Sequence, residues 1–352
     1  MCRKRAARDS ALCPVRYNAI PLLGEDSDVK KMVSWLIFTM AALTLSAGPA
    51  TAQSYPNRSI RVVLPWPAGG ITDVITRAIN MHLSEVFAQP LVIDNRPGAG
   101  GTLGVALAAR APADGYTLLM TDIASHCISA TLYGAKLPYD TLKDLQPIMM
   151  VAGSPMVLVA HPAPQVRTLP QLIALAKSRP GQLNYASSGA GSITHLAAVR
   201  MQKLSGVDIL HVPFKGSIPA ASSVMSGESF MSFSTIPASL AHTRSGRLVM
   251  IAQSFAKRAP QIPEVPTLAE TLGDFDLGFL SGLWAPAGTP RAIVERLHVE
   301  IMRAMEQAKV KEILTVNAAI PGRMSTQEFT DYLLRETRGW GEIVRTSGVK
   351  ID

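Results

Sequence analysis

Apolar residues follow two spacings along the chain. Short β-branched or aliphatic runs at 60–64, 91–93, 116–120, 148–151, 156–160, 184–186, 207–212, 230–233 and 248–252 predict buried strands. Between them, apolar positions recur at helical spacing, as in Val74, Ile75, Ala78, Ile79 and Leu83. The same reading predicts helices over 102–110, 168–177, 192–204, 219–225, 237–245, 290–307 and 326–345. Strict strand–helix alternation predicts an α/β fold with parallel sheets flanked by helices, that is, doubly wound domains. Ser154-Pro155 interrupts one apolar run, and the Pro- and Gly-rich text of 275–290 interrupts the alternation near the C-terminus. These breaks divide the chain into a domain of 53–154 with 279–352 and a second of 155–278, around a cleft.

The stretch IRVVLPWPAGGITDVITRAI, residues 60–79, organises the rest. A strand enters a turn of two prolines and two glycines, through which neither strand nor helix continues. Thr72 or Asp73 is the expected helix N-cap. Such a turn leaves backbone N–H groups of the helix start unpaired, and with the helix dipole they attract an anion. Gly-, Ser- or Pro-rich loops at 96–101, 187–191 and 213–216 also join a strand to a helix. In doubly wound sheets such loops gather where ligands bind.

The N-terminus has the pattern of a secretory signal peptide. Lys30 and Lys31 precede an apolar run over 32–45, and Ala50-Thr51-Ala52 is an A-x-A cleavage signal. The mature chain is expected to start near Gln53, with 1–52 a leader preceded by an upstream extension, and to lie in the periplasm. Beyond residue 52 Cys127 stands alone, which excludes an internal disulfide and a thiolate metal cluster there. The formal charge of +8 falls to +5 without residues 1–52, and its cations are scattered without aromatic interleaving, which disfavours nucleic acid.

Motifs of cofactor chemistry fail on inspection. Gly98, Gly100 and Gly104 miss the dinucleotide fingerprint because Leu103 stands where a glycine is required. Neither a P-loop nor a G-x-S-x-G elbow is present. The histidines show no metal-ligand spacing, so neither metal nor cofactor is expected. Ser192 and His195 could be imagined as a Ser–His pair, but i and i+3 on a helix face each other only at the surface and no orienting carboxylate is evident, so Ser192 reads as a helix cap with His195 structural or facing a ligand. Lys215 in PFKGS is a solvated loop charge or a ligand contact.

The motifs PWPAGGITD, NRPGAGG, DGYTLL, TLYGAKLPYD, LNYASSG followed by His195, VPFKGS, PEVPTLAE and WAPAGTP stand in one order. Together they resemble the Bug family, the solute-binding receptors of tripartite tricarboxylate transporters, over 55–352. The resemblance implies a two-domain periplasmic binding protein of type II, a Venus flytrap closing on a small carboxylate-bearing ligand and serving membrane permease subunits, as a monomer. By position it assigns ligand contacts to Trp66, Pro67, Ala68, Gly69, Gly70, Thr72 and Asp73 in one jaw. Ser187, Ser188, Gly189, Ser192 and His195 form the other, with Lys215 and Gly216 as further candidates. Where many members carry an acid near Ser234 and Thr235, this chain has none, which favours a ligand without an amine. The alternatives are a cleft hydrolase using Ser188 and His195, or a ligand sensor for a membrane histidine kinase.

Overall fold

A computed structural model of the chain describes residues 28, 31–36, 55–163 and 165–349. The chain forms two compact units that part after Ser54. In the first, residues 28 and 31–36 are helical and exposed, and the cleavage point near Ala52 lies outside the described residues. Among the described residues no helix is long and apolar enough to cross a membrane.

The second unit is mixed α/β. In chain order it runs β1 (Ile60–Leu64), α1 (Ile71–Phe87), β2 (Leu91–Asn95), α2 (Thr102–Ala109), β3 (Thr117–Asp122), α3 (Ile123–Tyr133) and β4 (Leu145–Ala160). Next come α4 (Leu169–Ser178), β5 (Asn184–Ser187), α5 (Ile193–Ser205), β6 (Leu210–Pro213), α6 (Ser217–Met225), β7 (Met231–Thr235), α7 (Ile236–Arg244) and β8 (Val249–Gln253). The chain ends with α8 (Ala269–Leu272), β9 (Gly278–Pro286), α9 (Arg291–Met305), α10 (Ala308–Val316), β10 (Ile320–Pro321) and α11 (Thr326–Ser347).

The strand order is β2-β1-β3-β9-β4-β7-β5-β6, with β10 and β8 also paired to β4. The wings are parallel, as the alternation predicts: β1 pairs with β2 and β3, and β5 with β6 and β7. The centre is not. β9 runs antiparallel to β3 and β4, and β4 antiparallel to β7 and β8. A parallel crossover requires a helix between strands, whereas β4 and β9 each carry the chain from one wing to the other as a long strand.

Ser154-Pro155 does not break the strand. β4 continues through it and exchanges partners there: pairing with β9 ends at Pro155 opposite Gly278, and pairing with β7 begins at Met156 opposite Thr235. A proline without an N–H is tolerated at such a change of neighbour. Ser154 Oγ donates to Asn317 O at 2.9 Å, fixing the exchange point to the end of α10.

Sequence reading left 123–133 without an element, yet α3 lies there. Its cap is Asp122, whose Oδ1 accepts the Ser125 N–H at 2.7 Å. The C-terminal helix carries a capping box, Ser325 with Glu328, and a strongly one-sided apolar face. It packs on α3 and β4, while α9 and α10 pack on α1. Phe329 on its first turn is fully buried and lies 5.4 Å from the Trp284 ring of β9, which in turn lies 5.2 Å from His126 of α3.

Because Phe329 fastens α11 to the crossing strand β9, Phe329→Ala is expected to lower unfolding free energy by about 3–5 kcal/mol. Urea unfolding followed by circular dichroism measures it; a loss under about 1 kcal/mol, the scale of a surface change, would contradict this packing role.

Candidate functional site

The PWPAGG loop leaves β1 and turns into α1 two to three residues earlier than the sequence implied. Gly70, not Thr72 or Asp73, is the N-cap, and no side chain caps the helix. Asp73 therefore sits inside the first turn and holds the loop in shape. Its Oδ2 accepts the Gly69 N–H at 3.0 Å and Arg77 Nε at 2.8 Å; its Oδ1 accepts Arg77 Nη2 at 3.0 Å and Asn95 Nδ2 at 3.2 Å. Asn95 Nδ2 also donates to Trp66 O at 2.9 Å, which ties the loop to the end of β2. Burial pushes the Asp73 carboxyl up, but the Arg77 hydrogen bonds, the Gly69 N–H and Asn95 outweigh it and hold it below the usual carboxylate value.

An inner cavity of about 20 Å³ opens beneath this loop. From the first wing it is lined by Trp66, Pro67, Gly70, Ile71, Thr72 and Asp122, and from β9 by Phe279. From the second wing Ser188, Ser217, Ile218 and Thr235 close it. Four helix starts therefore meet there: α1, α3 through its cap Asp122, α6, and α7 through its cap Thr235. Two of them, α1 and α6, have no side-chain cap. No Lys, Arg or His lines the cavity.

An outer chamber of about 250 Å³ shares Trp66 and Ser188 as a partition. It is lined by the glycine-rich loop 98–101, by Gly189 and Ala190, and by Pro213, Phe214 and Lys215. The Trp66 indole is itself steadied by a 3.3 Å hydrogen bond to Thr121 Oγ1.

Of the residues the sequence nominates, Trp66, Pro67, Gly70, Thr72, Ser188 and Thr235 meet in the inner cavity, while Gly189 and Lys215 reach the outer chamber. Ala68 and Gly69 are exposed on the rim. Ser234, one position from Thr235 on β7, points to the opposite face by strand alternation, and its Oγ turns to Thr235 O at 3.4 Å. Gly216 is not a lining residue but a contact point. Its φ is +128°, and a Cβ there would stand 2.4 Å from Pro67 Cδ. At Gly100, a Cβ would stand 2.5 Å from Ala190 O. The loops of the two wings are pressed together at both points.

The Ser187–His195 segment is satisfied largely from within. Thr194 Oγ1, which sequence reading did not single out, accepts the Ser188 N–H at 2.8 Å and bonds Ser188 Oγ at 2.8 Å and Ser192 Oγ at 2.9 Å. Ser192 Oγ accepts the His195 N–H at 3.4 Å, as expected of a cap. The Ile193 N–H donates to Ser125 Oγ of α3 at 3.1 Å. His195 Nδ1 accepts the Gly191 N–H at 3.1 Å, and its ring stacks on His211 at 3.9 Å. His211 Nε2 in turn lies 2.6 Å from Ser187 Oγ. No Ser188–His195 hydrogen bond forms, so nothing prepares Ser188 as a nucleophile. Burial, and then the neighbouring His211, push His195 down to about 3; burial pushes His211 down to about 4. Both imidazoles are therefore neutral near pH 7, and the pair serves to shape the loop.

Asp122, Ser217, Ile218, Ile71 and Phe279 are cavity residues that sequence reading missed. Asp122 had a signal: it follows an apolar strand and stands three residues before Ser125, the pattern of another strand–cap–helix turn. Among the described residues no cluster of His, Cys, Asp or Glu could hold a metal ion.

A model of the tripartite tricarboxylate transporter family receptor matches residues 75–349. Protein BugT of Bordetella pertussis is 35% identical over 309 residues, covering 87% of this chain and 94% of that protein. Among solved structures, R. palustris Rpa4515 with adipate is 31% identical, with a TM-score of 0.81 over 84% of this chain and 99% of the other. MatC (Rpa3494) from Rhodopseudomonas palustris, with bound malate, is 31% identical, with a TM-score of 0.77 over 82% of this chain and 100% of the other.

Two outcomes follow from the site's geometry. Asp73→Ala leaves the Gly69 N–H, Arg77 and Asn95 without their shared acceptor, and is expected to cost about 1.5–3 kcal/mol in urea unfolding; an unchanged midpoint would show that the loop holds itself. The second concerns acid. His126, pushed down to about 4 by burial, joins His195 and His211 in staying neutral when folded. The unfolded chain takes up their protons from about pH 6.5 downward, so stability falls as pH drops from about 6.5 to about 4. Asp122, raised by burial to about 6, works in the opposite sense over part of that window but is one group against three. Urea midpoints flat from pH 5 to 7 would contradict this.

Proposed function

Because the chain belongs to the tripartite tricarboxylate transporter receptor family, we propose that it is a periplasmic solute-binding receptor. In this reading it captures a small carboxylate-bearing ligand and delivers it to the membrane permease of a tripartite tricarboxylate transporter. The observation that carries the ligand class is the inner cavity, where uncapped starts of α1 and α6 face each other across the two wings without a lysine or arginine between them. A carboxylate fits such a place: first-turn N–H groups are donors without partners, and the aligned dipoles favour negative charge. The adipate and malate held by the two R. palustris neighbours point to the same class.

The wings act as two lobes in this reading, 53–154 with 279–352 and 155–278, hinged where β4 exchanges partners and where β9 begins. A cavity of about 20 Å³ has room for about one water. A carboxylate ligand therefore enters an open form, and the lobes close over it. Each helix start contributes about 0.3–1 kcal/mol toward an anion. Micromolar affinity requires about 8 kcal/mol, so direct charge-assisted N–H bonds and exclusion of water supply most of it. The reading is of a binder rather than a catalyst, which suits a Ser188 hydroxyl held by Thr194 Oγ1 rather than by His195.

The test is calorimetry and thermal shift of the purified protein against mono-, di- and hydroxy-carboxylates, followed by Gly216→Val. The valine Cβ would meet Pro67 and hold the lobes apart, so affinity for the best ligand is expected to fall at least about tenfold, or 1.4 kcal/mol. Failure of every carboxylate to stabilise the protein would sink the ligand class. Unchanged affinity in the variant would sink closure. Loss of labelled-ligand uptake in a deletion strain tests delivery; retained uptake would point to a sensor.

A further inference from the structure

Asp122 is the one ionisable side chain lining the inner cavity, among the described residues. It ends β3, caps α3 and stands opposite Ser281 of β9 in the sheet register. Its two oxygens differ. Oδ1 accepts the Ser125 N–H at 2.7 Å, whereas Oδ2 is fully buried and has no hydrogen-bond partner of normal geometry. The residue is 1% exposed.

Its surroundings do not neutralise it. The Ser125 N–H and hydroxyl and the nearby Leu280 N–H favour the charged form, but burial outweighs them, and Glu336 of α11 adds like charge from behind. Lys215 lies in the outer chamber, beyond the Trp66 partition. Even raised to about 6, the carboxyl is largely ionised near pH 7.5. A buried carboxylate with a free oxygen is costly unless a donor or a cation meets it. A plain dicarboxylate would bring two more negative charges to a cavity without a cationic side chain.

We propose that Asp122 sets the specificity of this cavity by pairing with an ammonium group of the ligand, so that the ligand is an amino acid-type carboxylate. The proposal rests on the reading of the cavity as a carboxylate site. It also reverses the expectation drawn from Ser234 and Thr235: the acid missing from β7 is supplied from β3, on the other side of the cavity from Thr235. The ligand carboxylate then takes the N–H groups of α1 and α6, its ammonium takes Asp122 Oδ2, and the charges in the closed cavity balance.

Matched pairs differing only in the amine test it by calorimetry: L-aspartate with succinate, L-glutamate with glutarate, and L-alanine with propionate. At least one amino acid is expected to bind about tenfold or more tighter than its partner lacking the amine, the size of a charge-assisted hydrogen bond. Asp122→Asn keeps an Oδ1 for the Ser125 cap. It is expected to weaken the amino acid about tenfold to a hundredfold while leaving the unsubstituted acid unchanged or tighter. Should the variant not fold, the ranking by the unaltered protein decides alone. Partners lacking the amine binding as tightly, equal weakening of both members by the variant, or binding of adipate with no amino acid bound would overturn the proposal and leave the carboxylate reading standing. If no carboxylate binds at all, both fall together.

Discussion

The arrangement of the site depends on two antiparallel strands, Leu145–Ala160 and Gly278–Pro286. They pair with each other along most of the shorter one, and each wing's parallel strands attach to them from opposite sides. Residues that meet in the cavity come from both wings, which are joined through these two strands. The partner exchange falls at Pro155 and Met156. Elsewhere the strands are buried among large apolar residues such as Trp284 and Phe279, which resist distortion.

Positive potential in the cavity comes from backbone rather than side chain, since no Lys, Arg or His lines it. First-turn N–H groups are fixed by their helices and lose no rotamer entropy on binding, unlike a lysine or arginine clamp. The cost is that their orientation has to be secured by other groups. Asp73 does this for the first wing through four hydrogen bonds. In the second, Thr194, Ser192 and the stacked His195–His211 pair secure the Ser188 loop. Several residues that looked like ligand contacts in the sequence are thus the ones that hold the loops in shape.

Much of the fold was legible because strand and helix periods are local. The strand at 60–64 is read with its observed bounds, and Ser192 caps the helix it was expected to cap. Strand direction was not legible, because it depends on which distant segment pairs with β4 and β9, and no local pattern encodes that. α3 was missed because its sequence, IASHCISATLY, mixes polar and apolar residues on all sides of a helix that is mostly buried. Loop motifs named residues that come together: Trp66, Gly70, Thr72 and Ser188 line one cavity. Motifs could not separate Thr235 from Ser234, or Thr72 from Asp73, since neighbouring positions share a loop but not a direction.

The β3–β9 pairing has a consequence for how the chain acquires its structure. Leu119 finds its sheet neighbour Trp284 only 165 positions later. A chain emerging N-terminus first makes β1, β2 and β3 long before the strand that completes their sheet exists. Contacts of such high sequence separation are slow to form. The first wing therefore stays an open, unfinished sheet until the last segments arrive.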